Sequence, residues 1–96
     1  MLTHIVVWKY RPEIEQAIRE EHVALLRSLA NLTADIDSFS VGFDTLHLAR
    51  SYDTGLVAVF RDLAAFDAYT VHPKHVRVAN FGRTISDDVA SVDFET

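Results

Sequence analysis

DLAAFDAYTVHPKHVRVAN, residues 62–80, decides the fold of this chain because it predicts two helices that meet at a corner. Asp62 is a suitable N-cap, and apolar residues recur at helical spacing from Leu63 onward for about two turns. A residue that precedes proline is disfavoured in the helical region, so the first helix is predicted to end just before the His-Pro pair. Pro73 fits the first turn of a second helix, which is predicted to stop at Gly82.

The same corner carries the side chains best suited to chemistry. Tyr69, His72 and His75 fall within a short stretch, and two helices at a corner can aim Tyr69 and His75 into one space. An imidazole titrates near pH 6.5 and is a usable base at neutral pH, while a phenol donates a hydrogen bond to a carbonyl oxygen or an enolate. We therefore expect His75 to be a general base and Tyr69 its hydrogen-bond-donating partner, with no metal and no cofactor.

The remaining sequence predicts a helix and four strands around this corner. The predicted elements are strand Leu2–Tyr10, a helix from Glu13 to about Leu32, and strands Phe39–Phe43, Tyr52–Phe60 and Val89–Phe94. The order βαββαβ is that of the ferredoxin-like α+β fold, a four-stranded antiparallel sheet with helices on one face, here with its second helix broken in two. The length predicts a single domain over residues 1–96.

The predicted sheet is apolar on both faces, which helices on one face cannot cover. In the first strand, Val6 and Trp8 share one face and Ile5 and Val7 the other, and the third strand has the same character. An apolar sheet face of that size is not left in water on a stable monomer. We expect a second copy of the chain to cover it, which predicts a homodimer.

Charge and composition exclude several classes of function. The formal net charge is −5 and the apolar fraction is 49%, so the chain offers no basic surface for nucleic acid or for an anionic membrane. No apolar run is long enough to span a bilayer, and the first residues lead directly into a strand pattern, so we expect a cytoplasmic protein without a membrane partner. The absence of cysteine excludes disulfides and thiolate catalysis.

Four motifs carry a resemblance to a known family. The segment AYTVHPKH at the corner resembles the signature of the stress-responsive dimeric α/β-barrel (Dabb) domains. LTHIVVWK, SYDTGLVAVF and VASVDFE resemble the family's opening, middle and closing strands and occur in the same order. The resemblance implies a ferredoxin-like subunit that pairs sheet against sheet as a dimeric α/β barrel. The family includes proteins of unknown role and a few enzymes, notably polyketide cyclases of the olivetolic acid cyclase type.

The resemblance to the cyclases also implies roles for individual residues. Their catalytic pair matches Tyr69 and His75, a further site histidine looks like His4, and the first histidine of the H-P-x-H motif looks like His72. The sequence departs from the cyclases in the third strand, where Thr54 replaces a pocket histidine. That departure leaves the substrate and the reaction open.

The residues support two functions of different classes. One is a cofactor-free enzyme that acts on a small, mostly apolar carbonyl compound. The other is a non-catalytic small-molecule binder or a stress-associated structural protein, in which side chains fill the same cavity. An open apolar cavity beside the catalytic pair favours the enzyme. Apart from the catalytic pair, the residues expected to contact a ligand are His4, His72, Val6, Trp8, Val23, Leu26 and Thr54.

Structural roles compete with functional ones at each histidine. His4 lies on an apolar strand face, where a buried structural histidine is common, and His72 suits a structural role at the corner. His22 aligns with the apolar face of the first helix, so packing is expected there. A metal site formed by His72, His75 and His4 is an alternative, but it has a proline between two of its ligands and no evident carboxylate. No motif indicates haem.

Overall fold

A computed structural model describes residues 1–96 and contains four strands and three helices. In chain order they are β1 (Leu2–Tyr10), α1 (Gln16–Arg27), β2 (Ile36–Phe43), β3 (Thr54–Phe60), α2 (Leu63–Thr70), α3 (Pro73–Thr84) and β4 (Ser86–Glu95). No helix has the length and apolar character needed to cross a membrane.

The strands form one antiparallel sheet in the order β2-β3-β1-β4. The two central strands, β1 and β3, are those that the sequence marks as apolar on both faces. Their register places His4 opposite Ala58 on one side and opposite Asp93 of β4 on the other. The predicted ferredoxin-like βαββαβ fold is confirmed, including the break between α2 and α3.

Several predicted boundaries were wrong, and Gly82 shows why. Helix α3 continues through Gly82 to Thr84. A side chain at this position would bring its Cβ to 2.8 Å from Nε2 of His22 and 2.9 Å from Nε1 of Trp8. Glycine is therefore needed for close packing between α3 and these two rings, a role that looks the same in sequence as a helix stop.

The other differences in boundary concern helix and strand ends. Helix α1 is shorter at both ends than the predicted helix, because the chain after Arg27 continues as turns. Strand β2 and strand β4 each begin three residues earlier than predicted, and β3 begins two residues later. Such ends depend on pairing with neighbouring strands, which hydrophobic periodicity does not reveal.

The core lies between the helices and one face of the sheet. Alternate residues of the central strands point toward the helices and are buried, as a period of two requires. The aromatic side chains at its centre are Trp8, Phe60 and Tyr69, which are 5%, 0% and 1% exposed. The buried apolar residues around them include Leu2, Val6, Tyr10, Val23, Leu26, Leu29, Val41, Leu56, Ala58, Ala65, Val78 and Ile85.

A small polar cluster is buried beside this core. The hydroxyl of Tyr10 lies 2.7 Å from Nδ1 of His22 and 2.8 Å from the hydroxyl of Thr54. His22 is fully buried, and its Nε2 has no hydrogen-bond partner. Burial lowers the pKa of His22 to about 4, because a charged imidazole would lose its hydration there. His22 is thus a neutral packing residue, as its place on α1 predicts.

The opposite face of the sheet has no helix over it. Its residues alternate with the core residues and pair across the strands, with Ile5 opposite both Val57 and Val92. Val57 is 43% exposed and Val92 52% exposed, and Phe94 beside them is also exposed. We call Ile5, Val7, Val57, Val59, Val92 and Phe94 the outer face.

Acidification should weaken the fold through His22. Below its ordinary pKa of 6.5 the imidazole is protonated in the unfolded chain, whereas in the folded chain it resists protonation down to about pH 4. The unfolded state therefore binds more protons in this window, and the free energy of unfolding falls by up to about 3 kcal/mol as the pH drops from 6.5 to 4. Urea unfolding at several pH values, at one protein concentration, measures this loss.

The variant His22→Gln isolates the contribution of this imidazole. Glutamine keeps a hydrogen-bonding group near Tyr10 but does not titrate. We expect the variant to be less stable at neutral pH and to lose less stability between pH 6.5 and 4 than the unmodified chain does. Parallel pH profiles for the two proteins would contradict this account.

Candidate functional site

A cavity of about 170 Å³ lies between the helices and the core face of the sheet. Its walls are mostly apolar, and its polar side chains come from four different elements. The side chains that line it are His4, Val6, Trp8, Leu26, Leu29, Leu56, Tyr69, His75, Ala79, Arg83, Val89 and Ser91. An apolar cavity with a few convergent polar groups is the usual form of a small-molecule site.

The corner between α2 and α3 brings Tyr69 and His75 together. Asp62 caps α2 by accepting a hydrogen bond from the backbone N–H of Ala65 at 2.8 Å, and α3 begins at Pro73. The ring centroids of Tyr69 and His75 are 4.5 Å apart, with the planes tilted by 49°. Both rings line the cavity, so the two residues expected to act together do share one space.

The imidazole of His75 is held by the Thr70 carbonyl, which lacks its usual backbone donor. In a continuous helix the carbonyl of Thr70 would accept from the N–H of residue 74. Here the N–H of Lys74 donates to Nδ1 of His72 at 3.1 Å, and the Thr70 carbonyl instead accepts from Nδ1 of His75 at 2.9 Å. Since a carbonyl only accepts, Nδ1 of His75 carries the proton, and Nε2 is left as the basic nitrogen.

Burial sets the charge state of both partners. The pKa of His75 is lowered chiefly because burial removes water from the charged form, against an opposing effect of the Thr70 hydrogen bond. Burial raises the pKa of Tyr69, whose side chain packs against Phe60 and Phe66. At neutral pH the site therefore holds a neutral imidazole with a free nitrogen beside a protonated phenol. This is the protonation state that a base and a hydrogen-bond donor need.

A second imidazole reaches the cavity from the sheet. His4 lies opposite Asp93 in the pairing of β1 and β4, and its Nδ1 donates to the Asp93 carboxylate. The ring of His4 lies 6.5 Å from that of Tyr69 and packs against Phe66 at 4.9 Å. The carboxylate fixes the orientation of the ring and its tautomer, in the way that such partners commonly orient histidines.

Three of the residues expected to contact a ligand lie outside the cavity wall. His72 is the N-cap of α3, where its ring accepts the Lys74 N–H, so it serves the structural role at the corner. Val23 is buried in the core at 2% exposure. Thr54 is bonded to Tyr10 within the buried polar cluster. Val6, Trp8 and Leu26 do line the cavity.

Some cavity residues escaped the sequence reasoning. Leu29 and Leu56 carry only the signal of core positions, and Ala79 carries none. Arg83 looks like an ordinary basic residue in the last turn of a helix. Asp93 lies within the closing-strand motif, but its link to His4 requires the register of β4, which the sequence does not supply. No group of three or more His, Asp or Glu side chains comes together in a way that could hold a metal ion.

The fold and the cavity define a small ferredoxin-like protein with one His- and Tyr-lined apolar site. The family model for the Stress responsive A/B Barrel Domain matches residues 2–96. The chain belongs to this Dabb family. A search of curated proteins gave no match.

Solved structures with the same fold extend this finding. A dimeric ferredoxin-like protein of unknown function from Thermobifida fusca YX has a TM-score of 0.90 and 22% identity, over 99% of this chain and 90% of that chain. A protein of the same description from Jannaschia sp. CCS1 has a TM-score of 0.83 and 30% identity, over 99% and 98%. A hydroxynitrile lyase from Passiflora edulis has a TM-score of 0.85 and 16% identity, over 97% and 90%.

The cap formed by His72 gives a test of the corner. We expect His72→Ala to lower the free energy of unfolding by about 1 kcal/mol, because the Lys74 N–H loses its acceptor. Urea unfolding measures the loss. His72→Asn supplies another capping side chain and should restore most of the stability. If alanine and asparagine are equivalent at this position, the cap does not stabilise the corner.

Proposed function

We propose that this protein is a cofactor-free enzyme that removes a proton from the carbon next to the carbonyl group of a small, mostly apolar compound. In this reaction Nε2 of His75 takes the proton, and the C–H electron pair moves into the enolate. The Tyr69 hydroxyl donates a hydrogen bond to the carbonyl oxygen, where negative charge develops. The observation that carries the proposal is the Thr70 hydrogen bond, which leaves the basic nitrogen of His75 free beside Tyr69 in the cavity.

The surroundings of this pair favour such a step. The apolar walls around the buried Tyr69 ring lower the local dielectric constant, and a hydrogen bond to an enolate oxygen is stronger in a low-dielectric site than in water. The Tyr69 hydroxyl makes no hydrogen bond within the chain, so it is available to a ligand without breaking an internal contact. The lowered pKa of His75 keeps it in the basic form at neutral pH.

The carbanion can then react in one of two ways. It can recover a proton, or it can attack a second carbonyl group of the same molecule and form a carbon–carbon bond. The second course is an aldol-type ring closure, which is the cyclase activity suggested by the family resemblance. Nδ1 of His4 donates to Asp93, so Nε2 is an acceptor and can accept a hydrogen bond from the hydroxyl group that forms at the second oxygen.

The size of the cavity limits the ligand. Its volume of about 170 Å³ is close to that of an engineered apolar cavity of about 150 Å³ that binds benzene. A ligand with one ring or a short chain fits inside. A longer polyketide-like chain would have to extend through the opening.

The alternative is a binder without catalysis, using the same cavity. The cavity beside Tyr69 and His75 supports the enzyme over a packed structural core. The Passiflora edulis structure adds that a protein of this fold is a lyase, although at 16% identity the likeness concerns the fold alone. Turnover, which a binder lacks, separates the two functions.

We also propose that the chain forms a homodimer through its outer face. The exposed Val57, Val92 and Phe94 form an apolar surface that a second sheet would bury. Two copies paired in this way would form the sheet-against-sheet dimeric barrel that the family resemblance implies. Its solved neighbours from Thermobifida fusca YX and Jannaschia sp. CCS1 are described as dimeric.

Proton removal can be measured without knowing the physiological substrate. Acetophenone in D₂O should exchange its methyl protons for deuterium faster with the protein than without it, as followed by proton NMR. His75→Ala should lower the catalysed rate by about 100-fold or more, and Tyr69→Phe by roughly 100-fold. The rate should rise with pH and reach half its maximum below pH 6.5, because the pKa of His75 is lowered from that value.

The control is His47→Ala, which removes an imidazole that is 78% exposed on a loop and should exchange acetophenone at the unmodified rate. Circular dichroism shows that each variant is folded. A folded His75→Ala protein with the full rate would end the assignment of the base. If acetophenone shifts the NMR signals of the cavity residues without exchanging, the protein binds carbonyl compounds without this catalysis.

A charge on the outer face should separate the subunits. We expect Val92→Asp to convert a dimer into monomers, because a buried carboxylate without a partner is too costly at an apolar interface. Analytical ultracentrifugation measures the mass in solution. Val71→Asp makes the same change at a valine that is 73% exposed in the corner after α2, and it should remain dimeric. A dimer that survives Val92→Asp would place the interface elsewhere.

A further inference from the structure

Arg83 stands on the wall of the cavity with its charge uncompensated. Its Nη1 donates to Oδ1 of Asn80 at 2.8 Å, which anchors the guanidinium from one side. No carboxylate lies within ion-pair distance of Arg83, although the chain has more acidic than basic residues. Nε and Nη2 have no partner within the chain. These two groups form the edge of the guanidinium that a carboxylate binds with two parallel hydrogen bonds.

The cavity wall carries a positive charge and no negative charge. Arg83 is its only permanently charged residue, and no Asp or Glu lines it. The hydroxyl of Ser91 also lines it and makes no hydrogen bond within the chain. The wall therefore offers a cation and a free hydroxyl to a ligand whose other contacts are apolar.

Arg83 and His75 belong to the same helix and line the same cavity. The positive charge of Arg83 is one of the smaller causes of the lowered pKa of His75, after burial. A carboxylate held by Arg83 would therefore lie in the same cavity as the imidazole that takes the proton. Bidentate binding would fix the ligand in one orientation, which is what positioning a C–H bond beside Nε2 requires.

We propose that Arg83 binds a carboxylate of the ligand, so that the substrate class is a small carbonyl compound with an apolar body and one carboxylate group. This inference rests on the function proposed above and narrows it. The apolar body fills the space between Val6, Leu26 and Leu56, and the carboxylate lies at Arg83. The carbonyl group lies at Tyr69 and His75, at the other end of the apolar body from Arg83.

A structural role for Arg83 makes a different prediction. A basic residue in the last turn of a helix is stabilised by the helix dipole, and this alone would explain an arginine at the end of α3. Such a role would not distinguish an anionic ligand from a neutral one of the same shape. Binding of a matched pair of probes separates the two roles.

The probes are phenylacetate and phenylacetamide, which share a shape and differ in charge. Isothermal titration calorimetry at low salt should show phenylacetate binding about tenfold more tightly than phenylacetamide to the unmodified protein. Arg83→Gln should abolish this preference, because phenylacetate loses the charge of its partner. Arg83→Lys keeps the positive charge but lacks the two parallel N–H donors of the guanidinium, so it should retain part of the preference for phenylacetate.

Arg77→Gln is the control, because it removes the same charge from an exposed position of the same helix outside the cavity wall. It should keep the full preference for phenylacetate. Equal binding of the two probes by the unmodified protein, or a preference that survives Arg83→Gln, would overturn the role of Arg83 and leave the proposed enzyme standing. If neither probe binds while acetophenone exchange proceeds, the proposal that the substrate carries a carboxylate group is wrong. Failure of binding and of exchange together would remove the proposed function as well.

Discussion

The hydrogen bond from His75 to the Thr70 carbonyl is the contact on which the site depends. It exists because the helix is interrupted: α2 ends at Thr70, and Pro73 starts a helix in a new direction. The N–H that would normally satisfy the Thr70 carbonyl is taken by His72. A partly buried carbonyl is stabilised by a donor, and the His75 ring supplies it. The corner thus orients the imidazole and fixes its tautomer in one step, without any carboxylate beside it.

The two faces of the sheet are connected through β4. Asp93 points toward the helices and holds His4, while its neighbours Val92 and Phe94 point to the outer face. β4 is an edge strand whose residues are nearly all exposed in the isolated chain. A second subunit packed on the outer face would restrict the motion of this strand. It would thereby also restrict the Asp93 carboxylate, which orients His4. The proposed dimer and the proposed site are therefore physically linked, although no residue of the outer face lines the cavity.

Local rules predicted well those features that local geometry controls. The limits of β1, the cap at Asp62, the start of α3 at Pro73 and the meeting of Tyr69 with His75 all follow from capping, proline and periodicity. Features that depend on contacts distant in sequence were missed. The pairing of His4 with Asp93 needs the strand register, and the role of Gly82 needs the positions of two rings from other elements.

The place of Thr54 also depends on contacts that are distant in sequence. The family resemblance places a pocket histidine of the cyclases at this position, which suggests that its replacement contacts the ligand. In the fold, Thr54 instead hydrogen-bonds Tyr10, whose hydroxyl also meets His22. The buried polar groups of that cluster bond mainly to one another, so they offer little to a ligand. The groups proposed to do chemistry lie at the opposite end of the core, where the hydroxyl of Tyr69 and Nε2 of His75 have no partners within the chain. The position of the expected histidine in β3 is thus taken by a hydroxyl that bonds within the protein.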